Sequence, residues 1–287
     1  MKKVILIIFS FVLLSGLASA QVYFRAGGGY ALPTATESVG DMQTRTDSYD
    51  GNNYSGTNKT KNVSASYGSG INFNAGAGFM FSEFFGVDLN ISYLAGKKYK
   101  TGDRYNNYVN GVIVGTDETI TTTNSKAIFI TPSFVITTGG AHAPYGRFGV
   151  VLGSPKVTSE ESSYYDTDGT GSSFKKWEST GGLSAGFQGA VGMNWTLGSN
   201  LKLYTEVNFT SMTFYPKEAN LTESTNDGVS DLDQTYMYYK KTEFVKSIDN
   251  TAQIDYEKPR QELRQGTPFS SVAIQVGVVY SIGGKNM

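Results

Sequence analysis

Apolar residues recur at every second position in eight separate stretches of this chain, each backed by a polar or glycine-rich reverse face. The last, SSVAIQVGVVYSIGG (270–284), is the cleanest: Val272, Ile274, Val276, Val278, Tyr280 and Ile282 alternate with Ser271, Ala273, Gln275, Gly277, Val279 and Ser281. A period of two is that of a pleated strand, whose successive side chains point to opposite faces. The other seven are VYFRAGGGYAL (22–32), INFNAGAGFMF (71–81), VDLNISYLA (87–95), AIFITPSFVIT (127–137), YGRFGVVLG (145–153), LSAGFQGAVGMNWTL (183–197) and LKLYTEVNFTSMTFY (201–215). Each is about as long as a tilted strand needs to cross a bilayer, roughly 9 to 11 residues.

The connections between these stretches alternate too. Those near 82–86, 138–144 and 198–200 are short, whereas those near 33–66, 97–126, 154–180 and 216–267 are long and polar. That order predicts an up-and-down barrel with both termini at one end, its short turns periplasmic and its long loops extracellular. Within the longest tract, Gln234 to Lys246 (QTYMYYKKTEFVK) is rich in strand formers and predicts a further hairpin above the barrel.

Periodicity alone does not tell inside from outside; the character of the polar face does. It is Asn, Gln, Ser, Thr and Gly, with few of the Lys and Glu that a solvated surface carries. A small, Gly-rich face suits the crowded lumen of an eight-stranded barrel and turns the apolar set toward lipid; a soluble lipocalin-like barrel would reverse this. Val272, Ile274, Val276, Val278 and Ile282 are therefore expected on acyl chains, with Tyr280 at the periplasmic boundary, Gln275 and Ser281 in the lumen, and the last strand paired with the first. Aromatic residues near strand ends, among them Tyr30, Tyr93 and Tyr215 at one end and Phe79, Phe81, Phe84, Phe85 and Trp195 at the other, suit the two interfaces.

Charges on the inward parity are Arg25, Asp88, Arg147, Lys202 and Glu206. Unpaired in a narrow lumen, each would carry a desolvation cost of several kcal/mol. They are expected to form a paired network that fills the barrel.

The composition agrees with this reading. Gly 34, Tyr 19 and Phe 17 are abundant, charged residues are 17%, and the mean hydropathy of −0.26 does not argue against a membrane, because a barrel shows lipid only alternate residues. The opening MKKVILIIFSFVLLSGLASA has the basic start, apolar run and small-residue close of a secretory signal peptide, leaving 21–287 as the barrel domain. Removing it takes Lys2 and Lys3 from the 24 basic residues and leaves 22 against 25 acidic, a net charge of −3. No concentrated basic surface points to nucleic acid, and the absence of Cys excludes a disulfide framework and thiolate metal sites.

The signal peptide, eight alternating strands and loop order resemble the OmpA/OmpX-type family of small outer-membrane β-barrels, barrel only. The resemblance is architectural and covers nearly all of the mature chain. It implies insertion into a bacterial outer membrane by the barrel-assembly machinery, with the last strand as the recognition signal. Family members commonly finish on an aromatic residue, whereas this chain runs past Tyr280 and Ile282 to Gly-Gly-Lys-Asn-Met. No length remains after the eighth strand for a peptidoglycan-binding domain, so a cell-wall tether is not expected.

Chemistry is sparse. Acyl-transfer chemistry needs a His beside a Ser and a carboxylate, and the one histidine, His142, falls in the short turn TGGAHAPYG, away from the long loops. YYDTDGTG (164–171) matches part of a calcium loop, but aligning Gly169 puts Tyr164 at the first ligand position and Lys175 at the last. The glycines of AGGGY and YGSGINFNAGAG lack the strand-to-helix setting of a nucleotide loop. No catalytic residue, metal site or cofactor is expected.

The whole predicts an all-β, eight-stranded antiparallel up-and-down transmembrane β-barrel with long extracellular loops, monomeric and non-enzymatic, with a structural or surface-interaction role. Its partners would be outer-membrane lipid and lipopolysaccharide and an extracellular or envelope protein. The alternative is a narrow channel or a carrier for small or apolar solutes.

Overall fold

The computed structural model describes residues 21–167, 169–248 and 253–282. The stretch expected to be a signal peptide (1–20), the Gly-Gly-Lys-Asn-Met end (283–287) and Asp168 of the acidic loop lie outside the described residues. Eight strands build the barrel: β1 Gln21–Pro33, β2 Gly70–Met80, β3 Phe85–Gly96, β4 Val112–Thr137, β5 His142–Tyr165, β6 Ser184–Thr196, β7 Leu201–Phe214 and β8 Ser271–Ile282. Each pairs antiparallel with the next. β8 then returns to β1, with Tyr30 opposite Ile274 and Phe24 opposite Tyr280. The ring closes without a free edge, which removes the unpaired backbone groups that lipid cannot satisfy.

The faces divide as the alternation requires. Phe134 is 68% exposed and its neighbour Ser133 6%; Ile274 is 62% exposed and Gln275 5%. Val276, Val278, Tyr280 and Ile282 are also exposed, Val272 is half-buried, and Ser281 is buried. The apolar parity thus covers the outer wall, and the lipocalin-like arrangement does not hold. An apolar belt around a whole barrel far exceeds the few hundred Å² that a soluble monomer shows water, and this is a transmembrane architecture.

At the long-loop end the structure departs from the expected loops. β4 and β5 do not stop at the rim but run on, with Lys126 opposite Lys156 and Glu118 opposite Tyr164. The segments between barrel strands join them. Strand Glu37–Asp50 forms a hairpin with Asn53–Ala65 and lies parallel to Tyr99–Val109, which in turn pairs with the distal half of β4. On the other side Gly171–Gly181 pairs with distal β5, then Pro216–Asn226, Lys241–Val245 and, in parallel, Arg260–Leu263. One continuous sheet therefore stands above one wall of the barrel. From Lys126 to Val112 it rises about 45 Å along β4, at roughly 3.3 Å per residue.

Both faces of this sheet are wet, so no period-two pattern betrays it. It is held by Thr-rich strands and cross-strand polar pairs, such as Thr119 Oγ1 donating to Ser163 Oγ at 3.0 Å. Ion pairs continue the theme: Lys176–Glu223 at 2.9 Å and Lys241–Glu218 at 2.8 Å. The hairpin expected over Gln234–Lys246 is not one. Met237–Lys240 is a single helical turn, and Lys241–Val245 finds its partners in Pro216–Asn226 and Arg260–Leu263 instead.

The barrel mouth beneath the sheet is closed by an apolar cluster. Leu94, Phe129, Val151, Met212 and Phe214 point inward from the ends of four barrel walls, and Tyr67, Tyr99 and Phe269 descend from the connecting segments to cover them. Phe269 packs edge-on to Phe214 at 5.8 Å between centroids and beside Tyr67 at 6.2 Å. Tyr99 Oη lies 2.6 Å from Ser69 Oγ and donates to the Ser66 carbonyl at 3.0 Å, which fixes the turn entering β2. Phe269→Ala is expected to cost about 3–5 kcal/mol by opening a cavity here, read as a lowered urea midpoint of the refolded protein in detergent, with a Leu substitution costing less.

Candidate functional site

Below the apolar cap, the inward face is polar throughout. Arg25 on β1, Asp88 on β3, Arg147 on β5 and Glu206 on β7 come from alternate strands and meet on the axis nearer the short-turn end. All four are at most 5% exposed. Arg147 donates to Glu206 through both Nε (2.9 Å to Oε2) and Nη2 (2.7 Å to Oε1), and through Nη1 to Asp88 Oδ2 at 3.1 Å. Arg25 Nη2 donates to the same Glu206 Oε2 at 3.1 Å, and its Nη1 is 3.8 Å from Asp88 Oδ2. Two cations and two anions thus neutralise one another.

Three tyrosines complete the layer. Tyr145 Oη donates to Glu206 Oε2 at 2.9 Å, Tyr23 Oη donates to Asp88 Oδ2 at 3.3 Å, and the Tyr204 ring lies under the Arg25 guanidinium at 4.3 Å. Each ring lies across a glycine directly opposite it in register: Tyr23 over Gly78, Tyr145 over Gly192 and Tyr204 over Gly277. A Cβ at any of those glycines would come within 2.5 Å of a carbon of the tyrosine ring, too close for any side chain. The glycines of the polar parity are the space into which the aromatic rings lie flat.

Above this layer runs an amide belt. Tyr204 Oη donates to Asn74 Oδ1 at 3.0 Å, Asn74 Nδ2 to Gln275 Oε1 at 3.0 Å, and Gln275 Nε2 to Asn72 Oδ1 at 3.2 Å. Between it and the apolar cap is a cavity of about 20 Å³ bordered by Asn90, Gln188, Asn208 and Phe269. That is room for a single water. Asn90 Oδ1 is buried there without a protein partner.

Of the five lumen charges read from the sequence, the structure brings Arg25, Asp88, Arg147 and Glu206 together. Lys202 stands apart: it is half-buried near the short-turn end, and among the described residues it makes no ion pair. Sequence reasoning missed the three tyrosines, although all share the parity of the charges. It also missed the apolar cap, whose members lie on the polar parity; the available signal was that Leu94, Phe129, Val151 and Met212 cluster at the long-loop ends of their strands.

Chemistry outside the lumen is modest. His142 is exposed at the short-turn end, at the start of β5. In the distal sheet, Arg45 donates to Asp47 at 2.9 Å, and Tyr54 and Tyr105 add hydroxyl donors at 3.0 and 3.2 Å. The Arg45 guanidinium chiefly holds this carboxyl below the usual carboxylate range. Asp117 accepts the backbone N–H of Asp166 (3.0 Å) and of Thr167 (3.2 Å), so it braces the acidic loop.

No protein-family model and no curated protein matches this chain. Among solved structures it is similar to the outer membrane protein OprG from Pseudomonas aeruginosa, at 11% identity over 93% of this chain and 97% of that one, with a TM-score of 0.42. It is also similar to Ail, the attachment invasion locus protein of Yersinia pestis, at 9% identity over 92% and 99%, with a TM-score of 0.34. The barrel itself rests on the closed pairing register.

Glu206 is the hub, receiving both arginines and Tyr145. Glu206→Ala leaves two buried guanidiniums with only Asp88 to balance them and is expected to destabilise the barrel by about 3–5 kcal/mol, measured by urea unfolding in detergent. Arg147→Met combined with Glu206→Leu should recover part of that loss.

Proposed function

We propose that this chain is a bacterial outer-membrane protein that works through its extracellular surface, as a structural or interaction protein, with a barrel that neither conducts nor catalyses. The observation that carries this is the double closure of the lumen. An ion entering from the periplasm meets Arg25, Asp88, Arg147 and Glu206 locked in mutual pairs. Beyond them it meets an apolar cap that includes Phe129, Phe214 and Phe269. Export by the signal peptide and insertion by the barrel-assembly machinery belong to the same reading.

What the chain offers outside the cell is the raised sheet. The tips of its two neighbouring hairpins are tied, with Asn110 N–H donating to the Tyr49 carbonyl at 2.7 Å. They present Tyr49, Tyr54, Val112, Ile113 and Val114 to solvent. An extracellular protein partner fits such a tip, where apolar anchors stand on a stiff support.

Purified protein in planar bilayers is expected to give no reproducible single-channel step. A defined step that disappears on Arg147→Ala or Glu206→Ala would overturn the closed-lumen reading and favour a narrow channel.

A second reading, carriage of an apolar solute, is supported by one feature of the outer wall. The β4–β5 ladder is interrupted at Thr131 and Pro132, and a groove of about 640 Å³ lies there between Leu89, Phe134, Phe148 and Val150. If it holds a solute, a long-chain fluorescent fatty acid should bind the detergent-solubilised protein saturably, and Val150→Trp should abolish that binding. Non-saturable partition equal in both proteins would leave the groove as lipid-facing wall.

A further inference from the structure

Lysines collect on the outward face of this barrel at one end only. On β4 the outward series Ile130, Ile128 continues to Lys126, and on β5 Leu152 and Ser154 continue to Lys156. Lys97 follows two places beyond Ala95, and the Lys217 ammonium lies beside Gly182, next to the outward Leu183. All four stand where the apolar wall ends on the long-loop side. At the short-turn end, among the described residues, the outward parity holds no lysine or arginine; Lys202 there belongs to the inward parity.

The arrangement of two of them is unfavourable by itself. Lys126 and Lys156 are directly opposite in register, so their side chains leave one face from Cα atoms only about 5 Å apart. Like charges so placed destabilise a ladder. Glu178 relieves one of them, at 2.6 Å from Lys156. Lys126 is exposed and, among the described residues, has no carboxylate within ion-pair distance; the same is true of Lys97 and Lys217. On the raised sheet Lys176 is matched by Glu160 and Glu223 and Lys241 by Glu218 and Glu243, while Lys59, Lys61, Lys100 and Lys175 make no ion pair among the described residues but stand away from the apolar wall.

Two opposed ammonium groups that share a single carboxylate, Glu178, leave one positive charge unmatched at the edge of an apolar wall, which is complementary to an anion held at that height by an apolar anchor. We propose that Lys126 and Lys156, flanked by Lys97 and Lys217, seat a phosphate of an outer-leaflet glycolipid headgroup. The lipid's acyl chains lie along Ile128, Ile130 and Leu152 directly beneath. Ile130 and Leu152 are themselves opposite in register, so one lipid spans the β4–β5 seam, with its phosphate bridging the two strands above and its chains crossing the same two strands below. The site rests on the membrane reading given above, and it adds to it a lipid class and a place.

The test uses the full mature chain refolded into phosphatidylcholine nanodiscs, with phosphorylated glycolipid (lipid A bearing its phosphates) titrated in and the phosphorus line width of the headgroup recorded. Saturable broadening is expected for the wild type. Lys126→Gln/Lys156→Gln should bind about 10- to 30-fold more weakly, each lysine near an anionic surface contributing roughly a factor of five. Enzymatically dephosphorylated glycolipid should bind no better than the variant does. Equal affinity of wild type and variant, or of phosphorylated and dephosphorylated lipid, overturns the phosphate seat. So does lysine-dependent binding of inorganic phosphate as tight as that of the lipid, which would assign the site to a free anion. Failure of the wild type to enter nanodiscs at all would overturn the membrane reading, a result distinguishable from these because it precedes any lipid titration.

Discussion

An eight-stranded barrel has room inside for its own side chains and little else, and the rest of this molecule follows from how that space is filled. Every inward position has to be small, flat against the wall, or matched by a partner from across the axis. The structure uses all three. Tyr23, Tyr145 and Tyr204 lie down on the glycines that face them, which frees the axis for two arginines and two carboxylates. Those four charges are buried only because the set is neutral and hydrogen-bonded across four strands. By linking β1, β3, β5 and β7 across the axis, the network fixes which strands face each other as firmly as the backbone ladders fix which are neighbours.

The barrel was legible in the sequence because lipid outside and polar side chains inside impose a strict period of two. Phe134 and Ser133, or Ile274 and Gln275, have to alternate, and neither pair can slip by one residue without placing a hydroxyl or an amide in hydrocarbon. The charge network was legible for a related reason: Arg25, Asp88, Arg147 and Glu206 stand out against Asn, Ser and Gly on the same parity. Lys202 carried the same sequence signal and lies apart, since parity says which face a residue takes and not how high on the axis its side chain reaches.

Two parts were hidden. The apolar cap sits on positions that should read polar, because at the barrel mouth the lumen is covered by Tyr67 and Phe269 and ceases to be wet. The raised sheet has water on both sides, so Thr, Ser, Tyr and paired charges serve on either face and leave no alternation to read. Its strands are specified by pairing partners that are distant in sequence, such as Glu37–Asp50 lying parallel to Tyr99–Val109. The tracts near 97–126 and 154–180 read as long polar loops, and only the register shows that β4 and β5 continue through the rim.

That continuity has a mechanical meaning. β4 runs without interruption from Val112 to Thr137 and β5 from His142 to Tyr165, so the surface sheet is joined to the embedded wall by covalent chain under ladder hydrogen bonds and not by a flexible linker. A pull applied at the distal tip is delivered in shear along the β4–β5 seam, past Thr131 and Pro132, where the ladder is interrupted. The molecule is a lever whose interrupted rung sits at the depth of the bilayer.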